Sequence, residues 1–257
     1  MGFFLKKQRS GLSIGVAAAN VMSEVVIVAL GGSLMYDGGD IDQQWVQDAS
    51  KIIHMTAAAG TKIGIVVGGG HLARENIGTA RKSGVTDTFD LDLIGIAATR
   101  HNATVFSSAL KTLGVDVAQN VPETTSEAAK SMQNHSVIVM GGTIPGHTTD
   151  AVSINLAVDS GAKRCTIATN VDFVYDKAPQ LNPDAIPFEE MSLADLQAIV
   201  GPPEHRGAGP NVVIDPIGVQ IAIDNNIELA LLNGRKLERL AKCLAGETFR
   251  GTIIGVN

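Results

Sequence analysis

From residue 25 onward the chain alternates between short runs of β-branched apolar residues and longer stretches whose apolar positions recur every three or four residues. The first pattern marks a strand buried on both faces, and the second a helix with one apolar side. Residues 25–30 predict a strand. Residues 41–59 predict a helix, with Ile41, Trp45, Ala49, Ile52 and Ile53 at helical spacing. A strand over 63–67, a helix over 72–82 and a longer helix over 92–113, stopped near Gly114, come next. The pattern continues with a short strand at 115–117, a helix at 126–132, a strand at 137–140, a helix at 151–159 and a strand at 165–168. After Asp176 prolines and glycines punctuate the chain. Short helices at 193–200 and 217–224, a strand at 227–232, a helix at 237–244 and a last strand at 251–254 complete the reading.

A strand, a glycine loop and a helix, repeated, predict an α/β fold with a parallel sheet and helices on both faces. Ligands of such sheets sit beyond the carboxyl ends of the strands, where these glycine loops lie. No Ser/Gly linker divides the chain and there is no tandem repeat, so one domain is expected.

Composition narrows the function classes. The formal net charge of −6 gives no broad basic footprint for nucleic acid. Phosphate recognition remains open, because loop amides and a few Arg or Lys side chains bind anions locally. No apolar run reaches the ~18 residues of a membrane span. Cys165 and Cys243 stand singly, without metal-ligand spacing, which fits a reduced cytoplasmic protein and no metal site of its own. Lys6, Lys7 and Arg9 precede a small-residue stretch over 11–21 and resemble a crude signal peptide. Ser13 and Gly15 interrupt that stretch, and a cut at Ala19 leaves almost no linker before the first strand. An N-terminal extension over 1–22, or a working start at Met22, is the favoured reading.

The glycine loops carry the candidate chemistry. Gly68-Gly69-Gly70 runs straight into His71-Leu72-Ala73-Arg74, so backbone N–H groups at a helix start meet a guanidinium one turn later, a suitable cradle for a phosphate. The alternative is a tight turn with a solvated Arg. Gly31-Gly32-Ser33 has the same setting. Gly141-Gly142-Thr143-Ile144-Pro145-Gly146-His147-Thr148 is close to a P-loop, but His147 stands where the Lys belongs. A different phosphate or nucleoside loop, with Thr143, Thr148 and Thr149 as hydroxyl donors, or a plain strand–helix turn, fits better. Asp92 suits a ribose diol or a helix cap, with the cap favoured by spacing. Arg100 suits a ligand or, more often, a buried or interface ion pair. The stretch Thr169-Asn170-Val171-Asp172-Phe173-Val174-Tyr175 reads as a nucleoside wall or a hairpin turn.

These loops, in this order, resemble the amino acid kinase superfamily and more closely its archaeal UMP kinases. The resemblance covers about residues 24–254. Its most specific stretches are Pro145-Gly146-His147-Thr148-Thr149-Asp150-Ala151 and Ala168-Thr169-Asn170-Val171-Asp172-Phe173-Val174-Tyr175. The resemblance implies a three-layer α/β/α sandwich on a mostly parallel sheet of about eight strands. It implies an acceptor half over 23–160 and an ATP half over 161–257, ATP and UMP as substrates, Mg²⁺ with the ATP, and a homohexamer. Ala29, Leu30, Gly31, Gly32, Ser33, Gly70, Arg74, Thr169, Tyr175 and Ala178 would then face ATP. Gly69, Asp92, Gly142, Thr143, Ile144, Pro145, Gly146, His147 and Thr148 would face UMP. Arg74 would act on the transferring phosphoryl group and Asp150 would orient cationic groups or a Mg²⁺ water, capping its helix being the equal alternative. The chain departs from the superfamily at Ala29 and Gln220, where lysines are common, and at Phe173 and Ala178, where Gly and Asp are common. Rival readings are a kinase for another small phosphate acceptor such as isopentenyl phosphate, and a non-catalytic nucleotide-binding storage or sensor protein.

Overall fold

The computed structural model describes residues 24–204 and 213–255, so the expected extension over 1–22 lies outside the described residues. Strands β1 (Val25–Leu30), β4 (Lys62–Val67), β5 (Val137–Met140), β6 (Arg164–Thr169), β9 (Glu190–Ser192), β10 (Glu228–Asn233) and β11 (Gly251–Gly255) form one sheet in the order β5-β4-β1-β6-β10-β11-β9. Every neighbouring pair is parallel except β10 with β11. Two small ribbons stand apart, β2 (Tyr36–Asp37) with β3 (Asp40–Ile41) and β7 (Val174–Tyr175) with β8 (Pro187–Phe188).

Alternate residues of each strand feed two separate cores, the period-2 consequence of the pleat. Ile27 and Ala29 of β1, Ile138 and Met140 of β5, and Leu229 and Leu231 of β10 face the layer of α4 (Thr125–Ser131), α5 (Thr149–Ser160), α6 (Leu193–Val200) and α7 (Pro216–Asn225). Val28 and Leu30, Val137 and Val139, and Ala230 and Leu232 face the other layer, built of α1 (Gln43–Ala58), α3 (Thr88–Thr112) and α8 (Leu237–Leu244). The three-layer α/β/α expectation holds. Helix α2 (Gly70–Lys82) packs on α3 at the glycine-loop end.

The differences from the sequence pattern are local. The strand expected at 115–117 makes a single bridge, Val117 to Val137, beside the edge strand β5, which leaves seven strands in the sheet. The helix expected from Ile41 starts at Gln43, because Asp42 accepts from the Trp45 N–H as its cap and Ile41 pairs with Tyr36. The long helix starts at Thr88 instead of Asp92, because Asp87 accepts from the Phe89 and Asp90 N–H groups. Asp92 is therefore not the cap.

The loops after β1 and β4 meet backbone to backbone. A Cβ on Gly32 would stand 2.3 Å from the Gly70 nitrogen and 2.4 Å from the Gly68 carbonyl carbon. Gly70 has φ +57, and its own Cβ would stand 2.3 Å from the Gly32 oxygen. Neither neighbour is a flexible side chain that can give way. Gly32→Ala should therefore destabilise the protein by about 1–3 kcal/mol through forced backbone displacement. Gly78, inside α2 with nothing near its Cβ position, gives the opposite sign: Gly78→Ala should stabilise by about 0.5–1 kcal/mol. Chemical denaturation of both variants checks the pair. A Gly32→Ala variant as stable as wild type would mean that the two loops are loosely apposed.

Candidate functional site

At the carboxyl ends of β5, β4, β1 and β6 the loops form one continuous line. Gly31 donates its N–H to the Ala168 carbonyl at 2.8 Å, which joins the β1 loop to the end of β6 beside Thr169. Gly32 touches Gly68 and Gly70, and the Gly68 N–H reaches Leu30 O at 2.8 Å. Gly69 lies against Ala73 and Thr99. Thr99 then accepts the Gly142 N–H at 2.7 Å. The row thus runs Thr169, Gly31-Gly32, Gly69-Gly70, Thr99, Gly142, following the strand order.

Helix α3 fastens these loops. Asn102 donates to the Gly68 and Gly69 carbonyls at 2.8 and 3.1 Å. Arg100 donates to the Gly142 and Thr143 carbonyls at 3.2 and 3.3 Å and pairs with Glu123 at 3.2 Å. Arg100 thus makes an ion pair, as expected, but with a largely exposed Glu123 and not a buried one, and it also fastens the 142–143 backbone. Asp92, on the same helix, accepts the Gly146 N–H at 2.8 Å, which brings its carboxylate to the turn of the 142–148 loop, where Gly146 has φ +87.

The individual candidates divide into groups. Ala29 and Leu30 are buried in opposite cores, so only their backbone can face a nucleotide. Ser33 is half-buried and its carbonyl accepts from Arg235 at 2.8 Å. Arg74 is exposed on α2, one turn beyond Gly70, and forms no ion pair or hydrogen bond with the described residues. Ile144 is exposed, while Thr143, Pro145 and His147 are half-buried. Tyr175 lies in the separate β7–β8 ribbon, edge-on to Phe173 at 6.2 Å. Ala178 is exposed and its carbonyl closes a turn with Leu181 and Asn182. No contact brings Tyr175 or Ala178 to the glycine row among the described residues.

The loop that carries Tyr175 is nonetheless anchored. Asp172 accepts from Asn233 at 2.8 Å and pairs with Arg239 at 3.0 Å and Arg250 at 3.7 Å. Burial works to raise the Asp172 carboxyl, but the Asn233 and Arg239 hydrogen bonds and the Arg239 and Arg250 charges outweigh it and hold it below the ordinary value. Thr252 on β11 accepts the Val174 N–H at 2.9 Å and donates to Phe188 O at 2.6 Å.

Thr148 caps α5 through the Ala151 N–H and donates to Asp215 at 2.5 Å. Asp215 in turn caps α7 through the Ile217 N–H. Asp150 is thus a first-turn residue and not the cap. Its side chain is half-buried beside Asp215. Burial first, and the Asp215 charge second, lift it to about 6, against the pull of the Asp215 N–H. Among the described residues no group of three or more His, Cys, Asp or Glu converges on a metal position. A Mg²⁺ ion that arrives on nucleotide phosphates needs no such cage, and one carboxylate reaching its water shell suffices. Asp150 is a half-buried carboxylate in the first turn of α5.

A cavity of about 1030 Å³ opens at the other end of the sheet, lined by Val25, Val26, Thr166, Cys243 and the Arg164–Glu228 pair. It carries none of the glycine loops, and volume alone assigns it no chemistry. Tyr36, Thr99, Asn102, Asp215 and Arg235 had no assigned role in the sequence reading. The signal for two of them was there: Thr99 and Asn102 are polar residues three apart on the apolar face of a long helix.

The sequence pattern of the amino acid kinase family matches residues 24–233. The uridylate kinase of Methanococcus maripaludis strain C6 is 36% identical over 229 residues, 89% of this chain and 98% of that protein. The crystal structure of the uridylate kinase from Archaeoglobus fulgidus superposes with a TM-score of 0.78 at 37% identity, over 90% of this chain and 99% of that one. The UMP kinase structure from Ureaplasma parvum, 22% identical with a TM-score of 0.75 over 91% and 99% of the two chains, shares the fold.

The Asp150 environment has a measurable consequence. Its folded carboxyl is raised, so the folded state holds more protons than the unfolded chain between the ordinary carboxylate range and about 6. Its contribution is most favourable below that range and is lost as pH rises through about 6. At pH 7.5 the ionised group costs about 1–3 kcal/mol. Asp150→Asn should therefore raise stability at pH 7.5, with the gain falling to roughly a third of that at pH 4.5 and vanishing only below the ordinary carboxylate range. Urea titrations at the two pH values check this, and a variant less stable than wild type at pH 7.5 would show that the carboxylate is held by a favourable partner.

Proposed function

The chain belongs to the amino acid kinase family, and from that premise we propose that it is a UMP kinase, transferring the γ-phosphoryl group of ATP to UMP to give UDP and ADP. The carrying observation is the backbone contact between Gly32 and Gly68-Gly70 at the ends of adjacent strands. Two phosphate-type loops in contact suit a reaction that brings two phosphate groups into line. Uridylate kinases related over nearly the whole chain support UMP as the acceptor.

A UMP phosphate oxygen attacks the γ-phosphorus, the bond from that phosphorus to the β–γ bridging oxygen breaks, and ADP leaves with the electron pair. The attacking oxygen is already anionic, so no general base is needed. Catalysis then consists of alignment and neutralisation of the phosphate oxygens. In this reading the N–H groups at the start of α2 and the β1 loop hold the phosphates, and Arg74 reaches the transferring group from the next turn. Asp92, with the 142–148 loop it fastens, meets the uridine ribose. The Thr169–Tyr175 stretch, kept in place by Asp172, borders the adenine nucleotide. Asp150 would order the water shell of a Mg²⁺ ion carried by ATP, which would supply neutralisation of the phosphate charge. The acceptor half over 23–160, the ATP half over 161–257, a homohexameric assembly and a cytoplasmic location belong to the same proposal. No helix among the described residues is long and apolar enough to cross a membrane.

Incubation with ATP, Mg²⁺ and UMP should yield UDP, with CMP, GMP and isopentenyl phosphate as much poorer acceptors. Preferred turnover of isopentenyl phosphate would replace the acceptor assignment. Arg74→Ala should lower kcat/KM by the equivalent of about 2–4 kcal/mol, the scale of a charge-assisted phosphate contact that strengthens in the transition state. Arg74→Lys should recover part of that loss, since it keeps the charge without the planar fork. A folded Ala variant within about threefold of wild type would remove Arg74 from the reaction.

A further inference from the structure

Asn102 is fully buried on α3, yet every group of its amide is used. The amide nitrogen donates to Gly68 O at 2.8 Å and Gly69 O at 3.1 Å. The amide oxygen accepts the Tyr36 hydroxyl at 2.6 Å. The opposite amide orientation would set its oxygen against two carbonyls, so the network allows one orientation only. A buried amide whose nitrogen and oxygen are both engaged is rigid, whereas one left short costs the desolvation of the orphaned group.

The peptide bond turns this anchoring into an aiming device. In a trans peptide the carbonyl and the N–H point in opposite directions. With the Gly68 and Gly69 carbonyls drawn to Asn102, the N–H groups of Gly69 and Gly70 point away from α3. Both stand at the start of α2, where N–H groups have no acceptor inside the helix. Gly70 faces the Gly32 backbone.

Asn102 alone would satisfy a purely structural need. Tyr36 adds a hydroxyl from a different element, the hairpin that follows the β1 loop. Its backbone oxygen accepts from Arg235 at 2.6 Å, and its ring centroid lies 6.0 Å from that of His71, the second residue of α2. Tyr36 therefore joins the loops after β1, β4 and β10. Burial raises the Tyr36 hydroxyl, against the pull of the Asn102 bond, so it remains a donor across the neutral range.

We propose that Tyr36 and Asn102 form a relay that aims the Gly69 and Gly70 N–H groups at the phosphate being transferred, and that both are positioning residues for the reaction. The proposal rests on the phosphotransferase reading of the glycine loops.

Tyr36→Phe removes the hydroxyl and keeps the ring. It should lower kcat about tenfold, the scale of one misaligned hydrogen-bond array in a transition state. KM for ATP and for UMP should change much less than kcat, and the melting temperature should stay within a few degrees, because the ring and its packing are kept. In an Asn102→Ala background the same change should have no further effect on kcat. A second readout does not depend on turnover. In protein labelled with ¹⁵N-glycine, addition of the non-hydrolysable analogue AMP-PNP should move the Gly69 and Gly70 amide signals in wild type and much less in Tyr36→Phe. Equal kcat and equal signal shifts in Tyr36→Phe and wild type would overturn the relay. So would a fall in kcat that merely tracks lost thermal stability. If Asn102→Ala does not fold, the Tyr36→Phe pair of readouts decides alone. Wild-type protein that makes no UDP would count against the assigned reaction, whereas signal shifts that survive Tyr36→Phe count against the relay.

Discussion

Hydrogen bonds from one stretch of α3 to the backbone of two neighbouring loops are the constraint on which the rest of the site depends. Thr99, Arg100 and Asn102 take up the Gly142 N–H and the carbonyls of Gly68, Gly69, Gly142 and Thr143. Loops rich in glycine lose much entropy when they are ordered. Backbone hydrogen bonds to a long, packed helix offset that loss, because the helix is itself held by the core through Ala103, Phe106 and Leu110. The contact of Gly32 with Gly70 then joins the β1 loop to the same frame. In the proposed reaction, anion recognition in this acidic chain rests on N–H groups and not on net charge.

Much of this order was legible in the amino-acid pattern. The β-branched runs located β1, β4, β5, β6, β10 and β11, since strands buried on both faces read as continuous apolar segments. The glycine loops at their ends were equally plain. What stayed hidden was long-range. The two ribbons consist of strands of two residues each, too short to show a period. Residues 115–117 are apolar enough for a strand but touch the sheet edge at one residue only. The pairing of Asn102 with Tyr36 crosses 66 positions, and that of Thr148 with Asp215 crosses 67, so neither leaves a local signature. Asp92 read as a cap because a better cap, Asp87, stands one turn and a residue upstream.

The acidic pair at Asp150 and Asp215 follows a different logic from the rest. Asp215 is engaged on both oxygens, by Thr148 and by the start of α7. Asp150 receives the Asp215 N–H yet keeps a raised carboxyl. Natural proteins tolerate such strain where chemistry requires it. Here the strain lies where α5 and α7 begin, and helix starts favour negative charge, which limits its cost.

Helix α3 also fixes distance. Asp92, which holds the turn at Gly146, and Thr99, which holds Gly142 and touches Gly69, sit seven residues apart on one continuous helix. Along an α-helix that is roughly 10 Å, and the span hardly stretches. Two fixed grips on a stiff rod make a gauge. The rod therefore sets the separation of Gly142 and Gly146, the near and far parts of one loop, and the loop keeps that span whatever lies above the strands.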